Sequence, residues 1–241
     1  MRVPWNRSGL RSYLILIALL ANEITPVSIL QGIPFVALGM AMHVWAKGCL
    51  RQNQEVTRSG PYRFVRHPFY VANGFLDAGL AIMSGWWVLQ LALPFWFLGV
   101  YLPAMRREER AMTGRFGPAY QAYQRDVPQF FPYRLPAPAP PGRFSWLNPN
   151  LLHSELPRAL RYLCYPLVFF LVHRLWLKGV QFFTTPSPLE IAGVISCVAL
   201  YGASLAIRSR RKGFAWPVAS AQEASGARAT RLTAAPARSR P

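Results

Sequence analysis

Two short segments of this chain carry side chains that could do chemistry together. The first runs Ser59-Gly60-Pro61-Tyr62-Arg63-Phe64-Val65-Arg66-His67-Pro68-Phe69-Tyr70. Pro68 biases His67 away from α geometry and is itself well placed in a first helical turn. Arg66 and His67 therefore stand beside a helix N-terminus, whose unpaired N–H groups favour a carboxylate or another anion. The second segment is Arg106-Arg107-Glu108-Glu109-Arg110. If the apolar runs between the two segments fold as an antiparallel hairpin, they meet at one interface. An imidazole, arginines, tyrosines and two carboxylates then share a site beside lipid.

The elements that would have to position these residues are set by composition. Of 241 residues, 52% are hydrophobic and 15% charged, against about 25% charged in an ordinary soluble domain. Six runs are apolar enough to be considered as spans: Tyr13–Ala21 (of bilayer length only if Leu10–Thr25 is counted), Val27–Trp45, Phe69–Trp87, Val88–Met105, Tyr162–Leu177 and Leu189–Ile207. A crossing helix needs about 20 residues, so several are short. The formal net charge is +18, and with six spans every basic residue except Arg174 and Lys178 falls on one face. The positive-inside rule places that face, both termini and the site in the cytoplasm, with a bacterial inner membrane as the expected location. A nucleic-acid binder would not partition its bases in this way between apolar runs.

The expected fold is all-α, a polytopic bundle of about six helices. Residues 1–134 form a four-span unit, 135–156 a proline-rich linker and loop around Leu135–Gly142, 157–207 a two-span unit, and 208–241 a basic tail of disordered composition. The run Leu19-Leu20-Ala21-Asn22-Glu23 offers no small-x-small cleavage site, so the first run is read as an uncleaved helix. Gly114 and Gly117-Pro118 end the fourth helix, with Gly114 the expected C-cap. Cys49, Cys164 and Cys197 have spacings that suggest neither a disulfide frame nor a metal site, and no metal is expected.

S-adenosylmethionine would find a counterpart here for each of its groups. Backbone N–H groups with Arg66 or His67 suit its carboxylate, Glu108 its ammonium or ribose hydroxyl, and Tyr62 and Tyr70 its adenine or sulfonium. The run Gly60-Pro61-Tyr62 through Arg66-His67-Pro68-Phe69-Tyr70 resembles the first signature of the isoprenylcysteine carboxyl methyltransferase family and its phospholipid methyltransferase relatives. Glu108-Glu109-Arg110-Ala111-Met112, then Phe116-Gly117, Tyr120, Tyr123 and Val127-Pro128 to Pro132, resembles the second. Together they cover residues 54–132. The resemblance implies a helical membrane methyltransferase with S-adenosylmethionine in a cytoplasm-facing pocket. Its contacts would be Thr57, Tyr62, Arg66, His67, Pro68, Phe69, Tyr70 and Glu108, and a lipophilic acceptor would enter from the lipid. Where eukaryotic members carry a substrate-carboxylate arginine one turn before the glutamate, this chain has Ala104.

Asn73, Asp77, Arg107 and Glu109 are the candidates for contacting the acceptor. Asp77 either lines the acceptor path or pairs with a polar group across the hairpin. A carboxylate acceptor needs no general base, whereas an amine or hydroxyl does, and no catalytic base is named. Carboxylate O-methylation and lipid-amine N-methylation stay open. So do a steroid-reductase-like enzyme using NADPH and a non-catalytic membrane module. The oligomeric state cannot be read from the sequence.

Overall fold

The computed structural model describes residues 7–21, 23–51, 54–133, 144–145 and 151–210. Among these residues every regular element is helical. They run α1 (Arg7–Leu20), α2 (Pro26–Cys49), a 3-10 turn (Gly60–Arg63), α3 (Pro68–Met83), α4 (Trp87–Phe116), α5 (Pro118–Asp126), a π turn (Leu151–Glu155), α6 (Leu156–Lys178), α7 (Gln181–Thr184) and α8 (Pro188–Arg210). The all-α expectation holds. Met1–Arg208 forms one compact unit and Ser209–Pro241 a second, of which only Ser209 and Arg210 are described. The proline-rich stretch Leu135–Gly142 and the tail from Gly213 lie outside the described residues.

Four helices, α2, α4, α6 and α8, are long and apolar enough to cross a membrane, which makes this an integral membrane protein. The other two expected spans correspond to the shorter helices α1 and α3. α1 and α3 have 14 and 16 residues, and at 1.5 Å per residue they reach only about 21 and 24 Å, short of a hydrocarbon layer of ~30 Å. The hairpin between α3 and α4 turns at Ser84-Gly85, within the apolar run Phe69 to Trp87. There Gly85 has φ +70°, and a Cβ would stand 2.1 Å from the carbonyl oxygen of Glu23.

α3 is nevertheless the centre of the bundle, with Leu76, Leu80, Ala81 and Met83 fully buried. α2 reaches it through missing side chains. A Cβ on Gly39 would lie 2.7 Å from Leu76 Cγ, and one on Gly79 would lie 2.7 Å from Val36 Cγ2. Helices surrounded by lipid gain nothing from burying apolar surface against each other, so small residues that let backbones touch do the joining. α2 starts from a capping box in which the Ser28 N–H donates to Thr25 Oγ1 and the Thr25 N–H donates to Ser28 Oγ, both at 3.0 Å. Ser28 Oγ also donates to the Met83 carbonyl, at 3.0 Å.

α4 continues past its apolar part as one rod of 30 residues, which carries Glu108 and Glu109 to the site. It ends at Gly117, not at the expected Gly114. Gly117 has φ +51°, the left-handed turn that lets Pro118 start α5 at once. At the other end of the bundle, α8 opens with a capping box of Ser187 and Glu190. Glu190 also accepts from Arg174 Nε and Lys178 Nζ, at 2.8 Å each. The two bases set apart from all the others are thus paired.

Candidate functional site

The site begins where α2 ends. Gly60 has φ +58° and lies so close to α2 that a Cβ would be 2.4 Å from Cys49 Sγ and 3.2 Å from the Trp45 indole nitrogen. This contact seats the 3-10 turn against α2 and buries Tyr62. Beyond it, the chain before α3 runs beside the stretch after α5. Arg66 N–H donates to the Pro128 carbonyl at 2.8 Å, and His67 N–H donates to that of Gln129 at 3.2 Å. The two sequence signatures therefore interlock through their backbones.

The Arg66 side chain fastens the junction. Its Nε and Nη2 both lie 2.8 Å from Glu109 Oε1. Its Nη1 donates to the carbonyls of Gln124 at 2.8 Å and Val127 at 2.7 Å. One guanidinium thus ties the start of α3 to α4 and to the end of α5, which leaves it little capacity for a ligand carboxylate. His67 Nε2 lies 3.1 Å from Glu109 Oε1. An ionised carboxylate can only accept, so Nε2 carries the proton. That leaves Nδ1 on the side of Glu108, whose Oε2 is 4.0 Å away. His67 is also the N-cap of α3 and makes no side-chain cap bond. Pro68 has no N–H, and the amides of Tyr70 and Val71 both donate to the His67 carbonyl. Phe69 N–H is then the first-turn donor left open among the described residues.

These elements enclose a cleft of about 350 Å³, within the range of small-molecule sites (~300–1,000 Å³). All eight residues expected to contact the cofactor line it: Thr57, Tyr62, Arg66, His67, Pro68, Phe69, Tyr70 and Glu108. Asn73 lines it as well. Asp77, Arg107 and Glu109 do not. Asp77 is 1% exposed and accepts the hydroxyl hydrogen of Tyr101, so of its two readings the pairing across the hairpin is the one observed. Arg107 is exposed, and Glu109 is held behind the wall by Arg66 and His67. Ala104 is buried beside Tyr70 and Tyr101, and neither Arg106 nor Arg107 lines the cleft in its place.

Sequence reasoning passed over Lys47, Arg51, Met112, Tyr120 and Tyr123, all of which line the cleft. Tyr123 donates from its hydroxyl to the Tyr62 carbonyl at 2.8 Å. The spacing of Tyr120 and Tyr123 by three on the short amphipathic α5 was the available signal, and it also suits plain packing. Burial first of all pushes the phenols of Tyr62, Tyr120 and Tyr123 well above the ordinary tyrosine range. All three are neutral donors and cannot serve as general bases near neutral pH. Tyr62 is 6% exposed, and its hydroxyl has no hydrogen-bond partner among the described residues. A buried hydroxyl costs free energy unless something bonds to it, so this one calls for a polar ligand atom.

Residues 28–119 match the family described as phospholipid methyltransferase. The chain is similar to the cobalt-zinc-cadmium resistance protein CzcN of Cupriavidus metallidurans, 31% identical over 111 residues that make up 45% of this chain and 51% of that protein. It is also similar to the nickel-cobalt-cadmium resistance protein NccN of Alcaligenes xylosoxydans xylosoxydans, 37% identical over 82 residues, 34% of this chain and 38% of that one. The matches thus span about half of the first relative and less of the second. No solved structure matches. The family match falls on the stretch that holds the first signature and the Glu108 end of α4, in line with the resemblance read from the two signatures.

Proposed function

We propose that this protein transfers the methyl group of S-adenosylmethionine to a lipophilic, membrane-embedded acceptor, in a cleft open to the cytoplasm. One observation carries the reading. Residues from two motifs some forty positions apart, from Tyr62 to Tyr70 and at Glu108, line a single cleft that includes a buried, unpartnered tyrosine hydroxyl.

The donor set fits the cofactor. Glu108 would pair with its ammonium. Tyr62 would donate its free hydroxyl to a polar oxygen or nitrogen, Phe69 N–H would donate to the carboxylate, and His67 Nδ1 would accept from a ribose hydroxyl. Tyr70 and Phe69 supply flat faces. S-adenosylmethionine supplies the activation, a methyl carbon bound to a sulfonium. The chain's own residues then hold the reactants in line and keep water out. Arg66 and Glu109 act one step back, because their pairing fixes the turn that carries His67. The neutral tyrosines offer no base, which favours an acceptor that can attack without losing a proton first, such as a carboxylate.

The test is calorimetry of S-adenosylmethionine and S-adenosylhomocysteine with the detergent-purified protein, His67→Ala and Glu108→Ala. Both substitutions should weaken binding about tenfold or more, ~1.4 kcal/mol each. If a well-folded wild type binds neither compound, the proposal is wrong, and NADPH is the ligand to try next.

A further inference from the structure

A buried polar chain leads from the cleft wall into a part of the protein outside the family match. Asn73, on α3, lines the cleft, and its Oδ1 lies 3.0 Å from Nε2 of His43 on α2. His43 is 3% exposed. Its other ring nitrogen, Nδ1, lies 2.9 Å from Nη1 of Arg158 on α6. Arg158 Nη1 also donates to Glu155, which is 2% exposed and sits in the π turn before α6. Ser154 Oγ donates to the same carboxylate at 3.1 Å. Glu155 and Arg158 follow residue 119, where the family match ends.

The chemistry of this chain fixes its direction. Glu155 Oε2 also stands 3.6 Å from His43 Nδ1, too far for a hydrogen bond, whereas the guanidinium at 2.9 Å can only donate; His43 Nδ1 therefore accepts, and the proton of the neutral ring sits on Nε2. Nε2–H then donates to Asn73, which must present its oxygen there. The assignment does not depend on telling amide oxygen from nitrogen by eye. With Oδ1 committed to His43, Asn73 makes no hydrogen bond through Nδ2 among the described residues. What it can offer the cleft is therefore two N–H donors. The Phe69 ring, also in the cleft wall, packs on His43 with centroids 5.4 Å apart and holds the imidazole in register.

We infer that Arg158 and Glu155 are positioning residues for the cleft. Through the His43 tautomer they lock the Asn73 amide so that its nitrogen faces the methyl acceptor, and the acceptor group beside Asn73 is consequently a hydrogen-bond-accepting oxygen and not an ammonium. This rests on the methyl-transfer reading above. It deepens that reading by giving the C-terminal helices a part in acceptor choice. An unassisted Asn side chain can rotate to offer either end, and a ligand that needs a donor would then meet an acceptor half the time. The relay removes that freedom.

The experiment uses the full chain in detergent and three readouts. These are calorimetric binding of S-adenosylmethionine, transfer of labelled methyl from it into a bacterial membrane lipid extract at several extract concentrations, and ¹⁵N-histidine NMR, with His43 assigned by substitution among the four histidines. Wild type should show the Nε2–H tautomer at His43. The double variant Arg158→Met with Glu155→Gln removes both charges, so neither is left buried alone. It should keep cofactor affinity within about twofold, show mixed tautomers, and lose transfer up to about tenfold at low extract with recovery at high extract. Asn73→Asp replaces the donor by an acceptor of the same shape and should lose transfer more severely. Faster transfer by Asn73→Asp would mean a cationic acceptor and overturn the inference. So would an Nδ1–H tautomer in wild type, or unchanged transfer by the double variant. Cofactor binding and transfer lost together in the double variant would make the chain merely structural, again overturning it. A wild type that binds no S-adenosylmethionine overturns the methyl-transfer reading and this inference with it. A wild type that binds and transfers leaves only this inference at stake.

Discussion

At the scale of single residues, the most connected side chain in the site is Arg66. It is 12% exposed and its partner Glu109 is 14% exposed. Removing one partner of a buried pair strands the other charge, at a cost of about 3–5 kcal/mol. Arg66→Ala should therefore lower thermal stability in detergent by an amount of that order. Arg66→Lys should recover only part of the loss, because one ammonium cannot reach Glu109 and two carbonyls together. If Arg66→Ala were as stable as wild type and lost only cofactor affinity, Arg66 would be a ligand group and not a fastener. The residues of the cleft were legible where a motif named them, as with Tyr62, His67 and Glu108. Lys47 and Tyr120 were not, because a basic residue at a helix end and a tyrosine on a short helix have many ordinary uses. Asp77 could be recognised as a functional or paired carboxylate but not assigned. Its partner Tyr101 is 24 positions away on the next helix, and only the register of the hairpin brings them together.

At the scale of elements, the α2–α3 contact determines where the site sits, since α2 carries Lys47 and the seat for Gly60 while α3 carries His67 to Asn73. Gly79→Leu would drive a side chain into Val36 and the Gly32 carbonyl, where even a Cβ would lie 2.7 and 3.0 Å away. The expected outcome is a loss of about 1–3 kcal/mol of stability with a parallel loss of S-adenosylmethionine affinity. Gly99→Leu serves as the control, because nothing stands within 4 Å of that position. Equal behaviour of the two variants in thermal-shift and binding assays would show that the glycine contact does not matter. The helical class followed from apolar runs without any alternation. The hairpin turn was legible too, because the Ser84-Gly85 pair inside the apolar stretch marks it, and α3 stops there after 16 residues. Gly114 and Gly117-Pro118 both read as stop signals, and the positive φ at Gly117 shows which glycine is the cap.

At the scale of the whole molecule, the cleft and the pair Arg158–Glu155 lie at one end of α6, and Glu190 pairs with Arg174 and Lys178 at its other end. Single cysteines in a cysteine-free background test the arrangement. Arg115→Cys, beyond the apolar part of α4, and Trp87→Cys, at its start and 63% exposed, should label with impermeant maleimide from opposite sides of the membrane. Labelling of both from one side would refute a crossing by α4. The hydrogen bond between His43 and Arg158 has a consequence of another kind. It joins a segment inside the region matched to the family with one beyond it. The two parts are therefore not free to be shuffled by recombination. A chimera that takes its last two long helices from a different protein would inherit a buried imidazole without the guanidinium that orients it.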